Sequence, residues 1–181
     1  KAKVLNINVY AMISANQKNI DLYLKKGLYK TDALNVRSFK LFGDGALGSR
    51  GACMHKEYSD MAKQHGALRS TPQELKSIAK QIAASDFQLN SHAIGDSANT
   101  VLLKIYKEVL TGKKDRRWKI EHAQVIREQD FDYFKLGIIP SVQPTHATSD
   151  MYWAGDRLGK ERLKNSYAYK KLLKKAGIVA L

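Results

Sequence analysis

Short runs of apolar and β-branched residues alternate along the chain with stretches whose apolar positions recur every three or four residues. The extended runs are VLNINVYAMIS (4–14), VRSFKLF (36–42), FQLNSHAI (87–94), RWKIEHAQ (117–124), GIIPSVQPTHA (137–147) and IVAL (178–181). Between them, the clearest helix start is Thr71-Pro72-Gln73-Glu74. Thr71 suits the N-cap, Pro72 the first helical position, and Glu74 closes a capping box. Leu75, Ile78, Ala79, Ile82 and Ala83 then form one apolar stripe. A second helix is predicted from Asp96, read as its cap, with Val101, Leu102, Ile105, Tyr106 and Val109 on one face. Shorter helical segments over 19–26, 128–136 and 167–176 each run into a glycine, Gly27, Gly137 and Gly177, which suits a left-handed stop.

Strict alternation of strand and helix implies a parallel sheet with right-handed crossovers. The predicted fold is α/β, with about six parallel strands alternating with helices, either doubly wound or a (β/α) barrel. A closed eight-stranded barrel takes about 250 residues, and the 181 residues here open into one strand and stop in another. The expectation is therefore a single partial barrel domain over 1–181, cut from something larger.

Composition narrows the partners. With 44% hydrophobic and 27% charged residues the chain is an ordinary folded domain, and no apolar run reaches the roughly 18 residues of a membrane span. No membrane partner is expected. Cys53 is the only cysteine, which excludes an internal disulfide and a cysteine-rich zinc cluster. The formal charge of +14 raises the question of nucleic acid. The basic residues are scattered pairs on polar helix faces, however, without the interleaved aromatics of a single-strand platform. A small-molecule substrate is the expected partner, and nucleic acid is not.

Gly43, Gly45 and Gly48 spell a G-x-G-x-x-G directly after a predicted strand. A dinucleotide fingerprint needs its last glycine in the first turn of a helix, where the helix terminus holds pyrophosphate. Residues 49–70 have no helical stripe and no start signal before Thr71, so the motif fails that test. The strands on either side carry the better candidates. Alternation in VRSFKLF sets Ser38 and Lys40 on one face and Phe39 and Leu41 on the other. In FQLNSHAI it groups Asn90 with His92, and in RWKIEHAQ it groups Trp118, Ile120 and His122. Three consecutive parallel strands thus each offer one potential ligand near the carboxyl end, where βα enzymes build their sites. Neutral imidazole suits zinc and its neighbours. His55 and His65 lie in the long loop and read as surface residues, while His146 follows the fifth run within reach of a substrate.

The motifs FKLFGDGALGSRGA, SHAIGDSAN, RWKIEHAQ and PSVQPTHATSDMYWAGDRLG together resemble the amidohydrolase superfamily, and within it the amidohydrolase family 3 branch of metal-dependent hydrolases. The resemblance implies a TIM-type (β/α)8 barrel with one or two divalent metals, zinc foremost, in its mouth. Lys40 matches a strand-end ligand that many members carry as a carbamylated, metal-bridging lysine. His92 and His122 match the two histidine ligands that follow. Asp96 and Glu121 fall in the matching motifs as supporting residues behind the ligands, and His146, Trp153 and Arg157 as residues that read the substrate. Members also carry a His-x-His pair on the first strand and a catalytic aspartate after the eighth, and neither is found in this sequence. The chain then corresponds to a barrel fragment without the first strands, the end of the last strand region and the flanking β-domain. By that resemblance the parent hydrolyses an amide or other carbon–nitrogen bond with metal-activated water. The fragment alone is expected to be inactive, and its open edges invite a homodimer. The alternative is a non-catalytic regulatory or binding protein on the same scaffold.

Overall fold

The computed structural model describes residues 7–181. Strand β1 (Val9–Ser14) leads into helix α1 (Gln17–Lys26), a two-residue strand β2 (Tyr29–Lys30) and the long β3 (Leu34–Phe42). A long irregular loop separates β3 from α2 (Pro72–Ala83), β4 (Gln88–Ala93) and α3 (Asp96–Val109). Then follow β5 (Lys119–His122), a 3-10 helix (Glu128–Leu136), β6 (Ile139–Ser141), and the helices α4 (Thr145–Ser149), α5 (Ala154–Leu163) and α6 (Tyr169–Ala176). Strands β1, β3, β4, β5 and β6 pair in that order and all run parallel, while β2 adds a short antiparallel pairing to β3. This is the α/β architecture expected, an open segment of a barrel wall. No helix among the described residues is long and apolar enough to cross a membrane.

The two faces of the sheet differ sharply. Phe39, Leu89, Trp118 and Ile120 point to the helices and are fully buried with Leu75, Ile82, Leu102 and Tyr106. The Tyr106 and Trp118 rings meet edge to face at 4.9 Å, and Phe39 meets Phe87 at 5.0 Å. Each such side chain removed from water contributes about 2–3 kcal/mol, so this layer is the main source of cohesion. The opposite face is polar. Lys40, Asn90 and Lys119 lie in one register row across β3, β4 and β5, and Phe42, His92 and Glu121 lie in the row above. Tyr10 spans that face, donating to Gln88 Oε1 at 2.5 Å and accepting from Asn90 Nδ2 at 3.2 Å.

The predicted helices form, with local corrections. The Thr71–Glu74 capping box is present in both directions, and Gly27, Gly137 and Gly177 end their helices at positive φ. Residues 128–136 wind as a 3-10 helix. Its buried aromatics explain the choice, because Phe131 and Phe134 are three apart and a three-residue turn stacks both inward. The run at 137–147 is a strand only over Ile139–Ser141; Pro144 sits at a helical φ of −57 and opens α4 instead. Helix α5 carries no long apolar stripe and is broken at Gly159 (φ 70), which hid it from periodicity. The run at 178–181 contributes one parallel bridge, Ser141 to Ala180. Of the run at 4–14, the strand covers Val9–Ser14, and residues 4–6 lie outside the described residues.

Asp96 does not cap α3. The N-cap is Gly95, and the helix's first free N–H groups, from Ser97 and Ala98, donate to the Cys53 carbonyl at 3.0 and 3.3 Å. That close approach requires a glycine, since a Cβ on Gly95 would lie 2.1 Å from the same oxygen. The long loop after β3 is thereby stitched to the start of α3.

Candidate metal centre

At the carboxyl ends of β3, β4 and β5 the polar face gathers Lys40, His92 and His122. The His92 and His122 rings lie 4.6 Å apart, edge to face, and the His146 ring stacks on His122 at 5.8 Å. Lys40 Nζ lies 5.2 Å from the centre of the Phe42 ring, which in turn packs against His92. His92 arrives by plain alternation, two residues beyond Asn90 on the same face.

His122 arrives differently. In register, Glu121 is the partner of His92 and His122 the partner of Ala93. Alternation therefore points His122 to the helix side with Trp118 and Ile120, and the expected grouping of those three is corrected here. The strand ends instead in two successive left-handed residues, His122 (φ 75) and Ala123 (φ 43). This turn swings the imidazole onto the polar face. Such backbone costs about 1–3 kcal/mol per non-glycine residue and is tolerated where the surroundings hold it. Here the Val125 N–H to the Ile94 carbonyl, at 3.0 Å, and the Asn99 amide against the Val125 carbonyl, at 3.2 Å, fix the exit.

Both imidazoles have one nitrogen committed. His92 Nε2 faces two acceptors, Asp44 Oδ1 at 3.2 Å and the Gly45 carbonyl at 3.3 Å, so it must carry the proton. In the neutral ring the lone pair is then on Nδ1. His122 Nδ1 donates to Gln143 Oε1 at 2.7 Å, which leaves the lone pair on Nε2. Burial, reinforced by the charges of His92, Lys40 and His146 and opposed by the Gln143 bond, pushes His122 down to about 4. Its ring is neutral at physiological pH. Burial also lowers the Lys40 ammonium, partly offset by the Glu121 carboxylate.

Asp44, which pattern reading passed over, organises this end of the sheet. It is 1% exposed, and besides His92 it accepts from the backbone N–H of Cys53 (2.9 Å), Ile94 (3.1 Å) and Gly95 (2.8 Å). Gly43 must be a glycine because a Cβ there would lie 2.7 Å from the His92 carbonyl. The glycine motif thus seats backbone against a histidine strand, and Asp44 between two of its glycines was the one available signal.

The other expected residues divide. Glu121 is buried on the polar face beside Lys40. Asp96 accepts from the His55 N–H at 2.8 Å, and the side chains bonded to the two imidazoles are Asp44 and Gln143. His55 and His65 are exposed. His146 joins the histidines. Trp153 packs on Gly48, and Arg157 stacks on Trp153 while bonding the Gly48 carbonyl and Asp60, so both clamp α5 to the long loop. A bond set unforeseen in the sequence holds α4 in place: Asp150 accepts from Gln124 Nε2 at 3.0 Å and from the Tyr167 hydroxyl at 2.9 Å.

A sequence profile of the amidohydrolase family matches residues 3–181. The chain belongs to the amidohydrolase family. Over its whole length it is 34% identical to Protein LONG AFTER FAR-RED 3 of Arabidopsis thaliana, covering 32% of that protein. It is 32% identical to YtcJ of Bacillus subtilis over 79% of the chain and 27% of the relative. Two crystal structures superpose closely, both of uncharacterized metal-dependent hydrolases. The Pyrococcus furiosus protein gives a TM-score of 0.86 at 29% identity over 97% of this chain and 37% of that one. The Pyrococcus horikoshii protein gives 0.85 at 34% identity over 97% and 36%. This amidohydrolase chain therefore spans about a third of the length of the proteins it matches.

Proposed function

We propose that this chain is part of a metal-dependent amidohydrolase that hydrolyses an amide or other carbon–nitrogen bond of a small molecule, and that Lys40, His92 and His122 hold its metal. The observation that carries this reading is the pair of opposed tautomers, with His92 Nδ1 and His122 Nε2 left unpartnered on rings 4.6 Å apart. Among the described residues no three His, Cys, Asp or Glu side chains gather as a ready metal cage. The donor set therefore fits zinc best when Lys40 adds a third ligand, as its carbamate. When bound, a divalent metal supplies Lewis-acid polarisation of the scissile carbonyl and an acidified water.

The protein's own part is positional. Asp44 and Gln143 fix the tautomers and ring planes of the two ligands, as partners behind a metal site do. His146, stacked on His122 and held by α4, stands where it can donate to or accept from a substrate at the open side. Elemental analysis of chelator-stripped chain reloaded with zinc tests the reading. About one zinc per chain is expected for the native sequence, and near none for His92→Ala or His122→Ala with His146→Ala unaffected. Equal zinc in all three variants overturns it. By the same reading the 181-residue chain binds metal without turning over substrate, because it contains no His-x-His pair.

A further inference from the structure

Asn99 lies near the start of α3, is fully buried, and makes its side-chain bonds to backbone alone. Its amide nitrogen is 3.2 Å from the Ala93 carbonyl oxygen, 3.3 Å from that of Ile94, 3.0 Å from that of Gly95 and 3.2 Å from that of Val125. Four acceptors around one group settle which way the amide faces, because the flipped side chain would set its oxygen against four carbonyl oxygens. The amide oxygen is buried without a partner. A side chain that leaves its acceptor unmet in the interior while its donor serves four carbonyls marks a place where the donor is needed.

Three of those carbonyls belong to the turn just after His92, and the fourth lies three residues after His122. Val125 is held on both of its backbone groups: its N–H donates to the Ile94 carbonyl at 3.0 Å, and its carbonyl accepts from Asn99. The N–H groups of the turn after His92, at Ile94 and Gly95, are taken by Asp44. Asp44 thus serves the donors of that turn and Asn99 its acceptors, and Asn99 also reaches across to the exit of β5. The Tyr167 N–H, bonded to the Gln124 carbonyl at 2.8 Å, secures the other side of the left-handed pair without touching β4. Among the described residues no other side chain bonds the backbone beyond both histidines.

We infer that Asn99 is a positioning residue. It fixes the exit of β5 against the exit of β4, and so holds the left-handed turn that brings the His122 ring to 4.6 Å from His92. It acts through the backbone and bonds neither imidazole. The inference deepens the proposed function and rests on the reading of the two histidines as metal ligands.

Histidine side-chain nitrogen-15 spectra of the 181-residue chain, recorded metal-free and then with zinc, test it in Asn99→Ser. The serine hydroxyl can still donate to the Gly95 carbonyl four residues back, so the start of α3 is kept while the reach to Val125 is lost. The His122 resonances are expected to move in the metal-free variant while those of exposed His65 stay in place, and zinc is expected to bind about tenfold more weakly. Asn99→Thr, which returns a methyl to the vacated space, gives the same reading if the serine variant is too unstable to study.

Tyr106→Phe separates positioning from general weakening. The Tyr106 hydroxyl also spans β4 and β5 from α3, but below the exits, at the Leu89 carbonyl (3.1 Å), Ser91 Oγ (2.7 Å) and the Lys119 carbonyl (3.2 Å). Its loss is expected to lower the melting temperature and to leave both the His122 resonances and zinc affinity unchanged. The inference is overturned if His122 resonances in a folded Asn99 variant match the native chain, or if Tyr106→Phe moves them equally. Failure of the native chain to bind zinc counts against the metal reading, and the metal-free spectra still decide the role of Asn99.

Discussion

His122 occupies a conformation that an L-residue resists, and the site depends on it. In a chain without metal the turn also buries an imidazole that must stay neutral, with its folded value near 4 against an ordinary 6.5. Between those values the unfolded chain binds a proton that the folded one does not, so stability rises with pH across that window and falls as pH drops through it. The metal-free chain is expected to melt at a lower temperature at pH 5 than at pH 7.5. The difference should shrink in His122→Gln. Asp44 carries a second residue-scale prediction. Asp44→Asn places a donor amide against three backbone N–H groups, leaving at least one of them unmatched in the interior. A loss of about 3 kcal/mol is expected in denaturant unfolding, together with weaker zinc binding. Lys40 and His92 were legible because plain alternation places them. His122 was expected beside His92 by the wrong geometry, because no pattern of apolar positions announces a left-handed pair. Asp44 was missed since a carboxylate between two glycines looks like any loop acid.

Among the elements, α2 and α3 were the most legible, because a capping box and a long stripe are local signals that burial reinforces. Helices α4 and α5 were not. Helix α4 buries none of its side chains, and α5 is interrupted at Gly159, so neither shows the periodicity that core packing imposes. What holds α4 is polar and distant in sequence: Asp150 bonded to Gln124 and Tyr167. Tyr167→Phe removes that donor while keeping the ring. The expected cost is about 1 kcal/mol. The distinguishing readout is local: faster amide hydrogen exchange over residues 145–150, with exchange in α2 unchanged. Uniform acceleration of both helices would contradict a role confined to α4.

At the scale of the whole molecule, strand and helix alternation gave the parallel sheet, and the order of buried and polar rows shows why its two faces differ. One face supplies cohesion through fully buried aromatics. The other is free to carry lysine, histidine and carboxylate side chains at a common rim. Sequence alternation alone left a doubly wound sheet and a barrel both open; the superposition on two metal-dependent hydrolases at TM-scores of 0.86 and 0.85 selects the barrel wall. The net charge of +14 is dispersed over helix surfaces, and several of its lysines are tied to acids, as Lys171 is to Glu128 and Lys175 to Asp132.

The central claim is that two neighbouring imidazoles, 4.6 Å apart, are held in opposite tautomers, with His92 Nδ1 and His122 Nε2 left free. Nitrogen-15 correlation spectra of the histidine side chains read this directly. The account predicts a protonated Nε2 on His92 and a protonated Nδ1 on His122, with His92 Nδ1 and His122 Nε2 shifting together when zinc is added. The same tautomer on both rings, or zinc shifts at neither of those two nitrogens, would contradict it.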